Sequence, residues 1–94
     1  MPMRHALVTG GSRGIGRAIV ERLARDGVDV AFVYRRDEDA AGAVTSAVRA
    51  LGRRCVALRA DLGNPGEVAA ALTQLDAELG PIDVFVANAA ATAF

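Results

Sequence analysis

The chain has no lysine and no tryptophan, and its 94 residues include only one cysteine, one tyrosine and one histidine. Each scarcity excludes a class of protein. A single cysteine, Cys55, cannot close an internal disulfide, which predicts a reducing compartment. No apolar run approaches the roughly eighteen residues that a membrane span needs. The opening Met1-Pro2-Met3-Arg4-His5 lacks the long apolar segment of a secretory signal, so a soluble, cytoplasmic protein is expected. Nowhere do His, Cys and acidic residues fall at the spacing of a metal site. Eleven basic residues balance eleven acidic ones, which gives no reason to expect a nucleic-acid or membrane partner. All of the basic residues are arginine, an asymmetry that bears on ligand choice below. The length allows at most one domain, on the small side for a stable core.

What is present is organised around Thr9-Gly10-Gly11-Ser12-Arg13-Gly14-Ile15-Gly16. The apolar run His5-Ala6-Leu7-Val8 precedes it, and Arg17-Ala18-Ile19-Val20-Glu21-Arg22-Leu23, with apolar residues at helical spacing, follows. A strand, a glycine turn and a helix start in that order form a phosphate cradle. Glycines permit the tight turn and let backbone N–H groups reach a pyrophosphate at the positive end of the helix.

The remainder repeats the alternation. A first strand over about 5–9 leads to a helix from about Gly14 to Arg25, whose Ile15, Ile19 and Leu23 are spaced for one buried face. Val28 to Tyr34 reads as a second strand, rich in β-branched and aromatic residues. Asp37 is placed to cap a second helix, which carries Ala41, Val44, Val48 and Leu51 on one stripe. A third strand covers about Arg54 to Arg59. Asn64-Pro65-Gly66-Glu67 then signals a helix start, and Val68, Leu72, Leu75 and Leu79 line one face. Glycines at 27, 52 and 80 stop the three helices. Ile82 to Ala87 is a nearly continuous apolar run, the composition of a strand covered on both faces. The order β-α-β-α-β-α-β predicts a doubly wound parallel α/β sheet with right-handed crossovers and spatial order 3-2-1-4. Its ligand crevice would lie between strands one and four.

The spacing Thr-Gly-x-x-x-Gly-x-Gly, the pair Asp61-Leu62 after strand three, and Asp83 through Asn88-Ala89-Ala90 after strand four together resemble the short-chain dehydrogenase/reductase family. The likeness is nearest to bacterial 3-oxoacyl-thioester and enoyl-thioester reductases. It implies a Rossmann-type domain, incomplete relative to the family fold, with residues 1–94 as its cofactor-binding front half. It also assigns Gly10, Ser12, Gly14, Ile15 and Gly16 to the cofactor-binding loop. Asp61 and Leu62 would border the adenine. Asn88, Ala89 and Ala90 would sit at the ribose, with Asn88 also bracing the central strands. The family's usual Asn-Asn-Ala-Gly appears here as Ala87-Asn88-Ala89-Ala90, a departure shared with some enoyl reductases.

The choice of nucleotide follows from charge. A domain for NAD usually holds the adenosine ribose with a carboxylate at the end of strand two. Here that position reads Tyr34-Arg35-Arg36, with no acid before Asp37. Guanidinium groups suit a 2′-phosphate, which a carboxylate would repel. Arg35, Arg36 and Arg13 therefore point to NADP(H); solvated strand-end charge is the plainer account of Arg35 and Arg36. His5 reads as a strand-edge residue, Cys55 as a small core residue and Ser12 as a loop hydrogen-bonder.

The resemblance implies chemistry by a tyrosine general acid, a lysine four residues after it and a serine, all beyond strand four. None can be carried onto a position here, because there is no lysine and Tyr34 belongs to strand two. Strand four, composed for the middle of a sheet, would lie at an edge and invite association. The expectation is the front half of a longer NADPH-dependent carbonyl reductase, reducing a 3-oxoacyl thioester or related small-molecule carbonyl, in a homo-oligomer. Reduction of an enoyl thioester is the alternative within the family. A non-catalytic nucleotide-binding module is the alternative outside it.

Overall fold

A computed structural model describes residues 4–12 and 14–88. The elements run β1 (His5–Thr9), α1 (Gly14–Arg25), β2 (Asp29–Tyr34), α2 (Glu38–Ala50), β3 (Cys55–Arg59), α3 (Pro65–Glu78) and β4 (Val84–Val86). All strand pairs are parallel, and the sheet order is β3-β2-β1-β4. This is the expected doubly wound α/β sheet of Rossmann type.

Alternation along the strands builds two cores. Ala6, Val8, Val30, Phe32 and Cys55 point to the face covered by α1 and α2, where they meet Val20, Ala24, Ala41, Val44 and Val48. Leu7, Ala31, Val33, Val56 and Leu58 point to the other face, under Ala71 and Leu75 of α3 and Leu79 at its C-terminal cap. β1 and β2, buried on both faces, read as near-continuous apolar runs.

Two of the predicted caps are present. The Asp37 carboxylate accepts from the Ala40 N–H at 2.9 Å, and Asn64 Oδ1 accepts from the N–H groups of Gly66 and Glu67. Gly27, Gly52 and Gly80 follow their helices with positive φ.

The helix faces differ from the periodicity. In α1 the buried residues are Gly16, Val20 and Ala24, whereas Ile15 is 73% exposed and Ile19 and Leu23 are only partly buried. Close backbone approach at Gly16, described below, sets the rotation of this helix, and a period count scores glycine as nothing. Along α3 and its C-terminal cap the buried stripe is Ala71, Leu75 and Leu79, with Leu72 half exposed. Leu75 and Leu79 belong to both possible stripes, so hydrophobicity leaves the rotation open until the helix meets the sheet. Leu51 lies past the end of α2 and is exposed.

Strand β4 is shorter than its apolar run and forms an edge of the described sheet. Its Val84 and Val86 pack on the α1 side, but Phe85 on the other face is 61% exposed. The reason is geometric. One helix of about 10 Å diameter covers about two strands spaced about 4.8 Å apart, and α3 packs on β3.

Candidate functional site

The C-terminal ends of β1 and β2 and the N-terminus of α1 meet at the glycine loop. The N–H groups of Gly10 and Gly11 both donate to the Val33 carbonyl oxygen, at 2.9 and 3.3 Å, which folds the loop over the end of β2. Gly10 has φ 69° and Gly14 φ 61°, a conformation costly for residues with a Cβ. At two other glycines the limit is space. A Cβ on Gly11 would lie 2.5 Å from Cβ of Phe32. One on Gly16 would overlap the Gly10 carbonyl oxygen and lie 2.6 Å from Asn88 Nδ2. The first turn of α1 is thus pressed against the loop.

Asn88 closes this arrangement from β4. Its backbone N–H donates to Thr9 Oγ1 at 2.8 Å, and its Nδ2 donates to the Gly10 carbonyl at 3.4 Å. The Thr9 hydroxyl in turn donates to the Val86 carbonyl at 3.5 Å. The ends of β1 and β4 are therefore tied together beside the loop. Thr9 opened the quoted motif without being assigned a role; its hydroxyl turns out to be the joint. Ser12 is buried within the loop, whereas Gly14 and Ile15 lie exposed at the start of α1.

A second group sits at the ends of β2 and β3. The Arg35 guanidinium lies 3.5 Å from Asp61 Oδ2. The other Asp61 oxygen accepts from the Gly63 N–H at 2.9 Å, and the Asp61 N–H donates to Glu67 Oε1 at 2.9 Å. Glu67 was legible only as part of a helix start; its reach back to Asp61 instead of to the cap backbone was not. Leu62 and Arg36 are exposed at the same end. Arg59, not singled out in the sequence, pairs with Glu38 at 3.0 Å and pins the start of α2 to the end of β3. Arg13, Ala89 and Ala90 lie outside the described residues.

The chemistry open to this end of the sheet is anion binding. The first N–H groups of a helix have no partner within it and carry the positive end of its dipole. The first turn of α1 carries no acidic residue to occupy them. Beside Gly14 a Cβ would meet nothing within 4 Å, so there is room against the backbone there. The residues present fit a dinucleotide pyrophosphate.

His5 and Cys55 stand at the opposite ends of their strands. Burial pushes the Cys55 thiol from the ordinary 9.0 to about 11, against the lowering pull of a Thr45 hydrogen bond and the Arg49 charge. A thiol held neutral in this way is a packing residue and not a nucleophile. Among the described residues no helix is long and apolar enough to cross a membrane.

Comparisons with known proteins agree with this geometry. The family model described as short chain dehydrogenase matches residues 4–94. The 3-oxoacyl-[acyl-carrier-protein] reductase FabG of Staphylococcus epidermidis is 39% identical over 89 residues, which cover 95% of this chain and 36% of the relative. The chain thus spans little more than a third of that curated relative. The crystal structure of a short-chain dehydrogenase/reductase from Sinorhizobium meliloti superposes with TM-score 0.87 at 38% identity, over 95% of this chain and 41% of that one. A blue fluorescent protein from a metagenomic library, solved in complex with NADPH, is 48% identical with TM-score 0.81, over 87% of this chain and 34% of that one.

Proposed function

The chain belongs to the short-chain dehydrogenase family, and on that premise we propose that it is the cofactor-binding part of an NADPH-dependent carbonyl reductase acting on 3-oxoacyl thioesters. The observation that carries the nucleotide choice is the end of β2, where Arg35 and Arg36 follow Tyr34 with no carboxylate before Asp37. Support comes also from the FabG relative, named for 3-oxoacyl reduction, and from the 48% identical protein solved with NADPH.

In this proposal the backbone N–H groups of Gly14, Ile15 and Gly16 take the pyrophosphate at the start of α1. Arg35, with Arg36 and Arg13, meets the 2′-phosphate. Asp61 and Leu62 border the adenine, and Asn88, with Ala89 and Ala90, borders a ribose while bracing the β1–β4 joint. The bound nicotinamide supplies the hydride. No proton-transfer role is assigned to any of the 94 residues: lysine is absent, and Tyr34 packs against the core beneath α1 and α2. The proposal places those groups elsewhere in the protein that carries this chain.

The test is to titrate that protein with NADPH and with NADH by fluorescence, and then to follow NADPH oxidation with a 3-oxoacyl and an enoyl thioester. Tighter binding of NADPH with turnover of the 3-oxoacyl substrate is expected. Equal or tighter binding of NADH overturns the cofactor reading. Turnover of the enoyl substrate alone, the reading that Ala87-Asn88-Ala89-Ala90 favours, would replace the substrate class. Binding without any turnover would favour a non-catalytic module.

A further inference from the structure

A carboxylate, Asp61, stands beside the Arg35 guanidinium assigned above to the 2′-phosphate, with a charge that repels that phosphate. Its setting explains it. Asp61 is held at two points besides Arg35: Oδ1 accepts from the Gly63 N–H at 2.9 Å, and its own N–H donates to Glu67 Oε1 at 2.9 Å. Glu67 is fixed in turn by Asn64 Nδ2, 3.2 Å from its other oxygen. The carboxylate is thus anchored to the start of α3. Arg35 is a long side chain, 63% exposed, and it touches this anchor through Nη2 alone, at 3.5 Å. A guanidinium held by one nitrogen keeps its remaining N–H donors open to a second anion.

Resting on the cofactor reading above, we infer that Asp61 is a positioning residue for cofactor selectivity: it holds Arg35 at the end of β2 so that the free edge of the guanidinium faces the 2′-phosphate. A flexible arginine loses rotamer freedom when it binds phosphate, and a side chain already restrained loses less. The contribution acts on NADP(H) and not on NAD(H), because the adenine near Asp61 is common to both and only the 2′-phosphate needs Arg35.

That asymmetry makes the test. Asp61→Asn keeps an acceptor for the Gly63 N–H but removes the charge that holds Arg35. NADPH and NADH affinities are measured for the unmodified protein, for Asp61→Asn, for Arg35→Met and for the double variant. The ratio of affinities favouring NADPH should fall about threefold in Asp61→Asn, the scale of an exposed ion pair. In the Arg35→Met background the same substitution should leave the ratio unchanged. Asp61→Ser, whose hydroxyl can still accept from the turn, reads the same ratio if the asparagine variant does not fold. An unchanged or raised ratio in the single variant, or an equal fall in both affinities, overturns the inference. A protein that shows no preference for NADPH before substitution overturns the cofactor reading and the inference with it, whereas a preference that survives Asp61→Asn overturns the inference alone.

Discussion

The two ends of this sheet treat charge in opposite ways. At the N-terminal end of the strands, Asp29 opens β2 with 2% of its surface exposed. His5 Nε2 and Arg54 Nε lie 3.9 and 3.8 Å from its Oδ2, and Arg53 Nε lies 4.0 Å from its Oδ1. Oδ1 also accepts from the Arg54 backbone N–H at 3.0 Å. The two arginines continue outward. Arg53 donates to the Gly27 carbonyl just past α1, and Arg54 donates to the carbonyls of Glu78 and Leu79 at the end of α3. Asp83 and His5 exchange two hydrogen bonds between the starts of β1 and β4, at 3.0 and 2.9 Å.

The geometry of β-α units explains the contrast. Each helix runs back against its strand, so helix C-termini gather at the N-terminal end of the sheet and helix N-termini at the other. The negative helix ends are met by arginines supplied from within the chain. At the positive ends of the helices, α2 and α3 carry side-chain caps, while α1 begins with glycines and no acid. The closed end meets its charges from within the chain, and Asp29 Oδ2, buried without a hydrogen bond among the described residues, is faced by His5 and Arg54 at 3.9 and 3.8 Å. The open end leaves the first turn of α1 without an acidic residue, and that difference is what marks it as the candidate site.

The comparison can be broken from either end. The largest effect is expected at the open end: Gly16→Ala forces a methyl group into the Gly10 carbonyl, and the helix start must move. A loss of about 3 kcal/mol in unfolding free energy, read from urea denaturation, together with loss of NADPH binding, is expected. A variant that bound NADPH normally would show that the loop is not the cradle. At the closed end, Asp29→Ala removes the shared acceptor of Arg54 and its ionic neighbours, at a cost of about 2 kcal/mol because the arginines can return to water. NADPH affinity of the folded fraction should be unaffected; a fall there would mean that the two ends are coupled.

The smallest effect sharpens the same end. Cys55 opens β3 and is 3% exposed. Its folded thiol holds the proton to about 11 and the unfolded chain releases it near 9.0. The contribution is therefore full below pH 9.0 and is lost as pH rises toward 11. Stability at pH 10 should be about 1 kcal/mol lower than at pH 8. Cys55→Ala should be less stable at neutral pH and should lack this slope, which denaturation at stepped pH would show.

Much of the molecule was legible before any coordinates. The caps at Asp37 and Asn64, the glycine stops and the alternation of strand and helix are local, since each depends on neighbours within a few residues. The strand order followed from that alternation because crossover handedness leaves few arrangements. The glycine loop was legible for a similar reason, as its job is to let backbone approach backbone. Ile15, Leu72 and Leu51 were misplaced because a helix's apolar stripe has a width, and only the surface it meets selects the centre.

The order of elements, the sheet topology and the glycine loop could be read along the chain, because propensity, capping and turn chemistry act at short range. Packing alone set the Thr9 hydroxyl as the joint through which Asn88 braces β1 and β4, placed Glu67 against Asp61 beside Arg35, and set Asp29 among arginines that reach two helices. The Thr9–Asn88 bond closes a separation of 79 residues, and the Arg35–Asp61 contact one of 26. Contacts of that range have no local signature; they exist because two packed layers bring the ends of distant strands within a few ångströms.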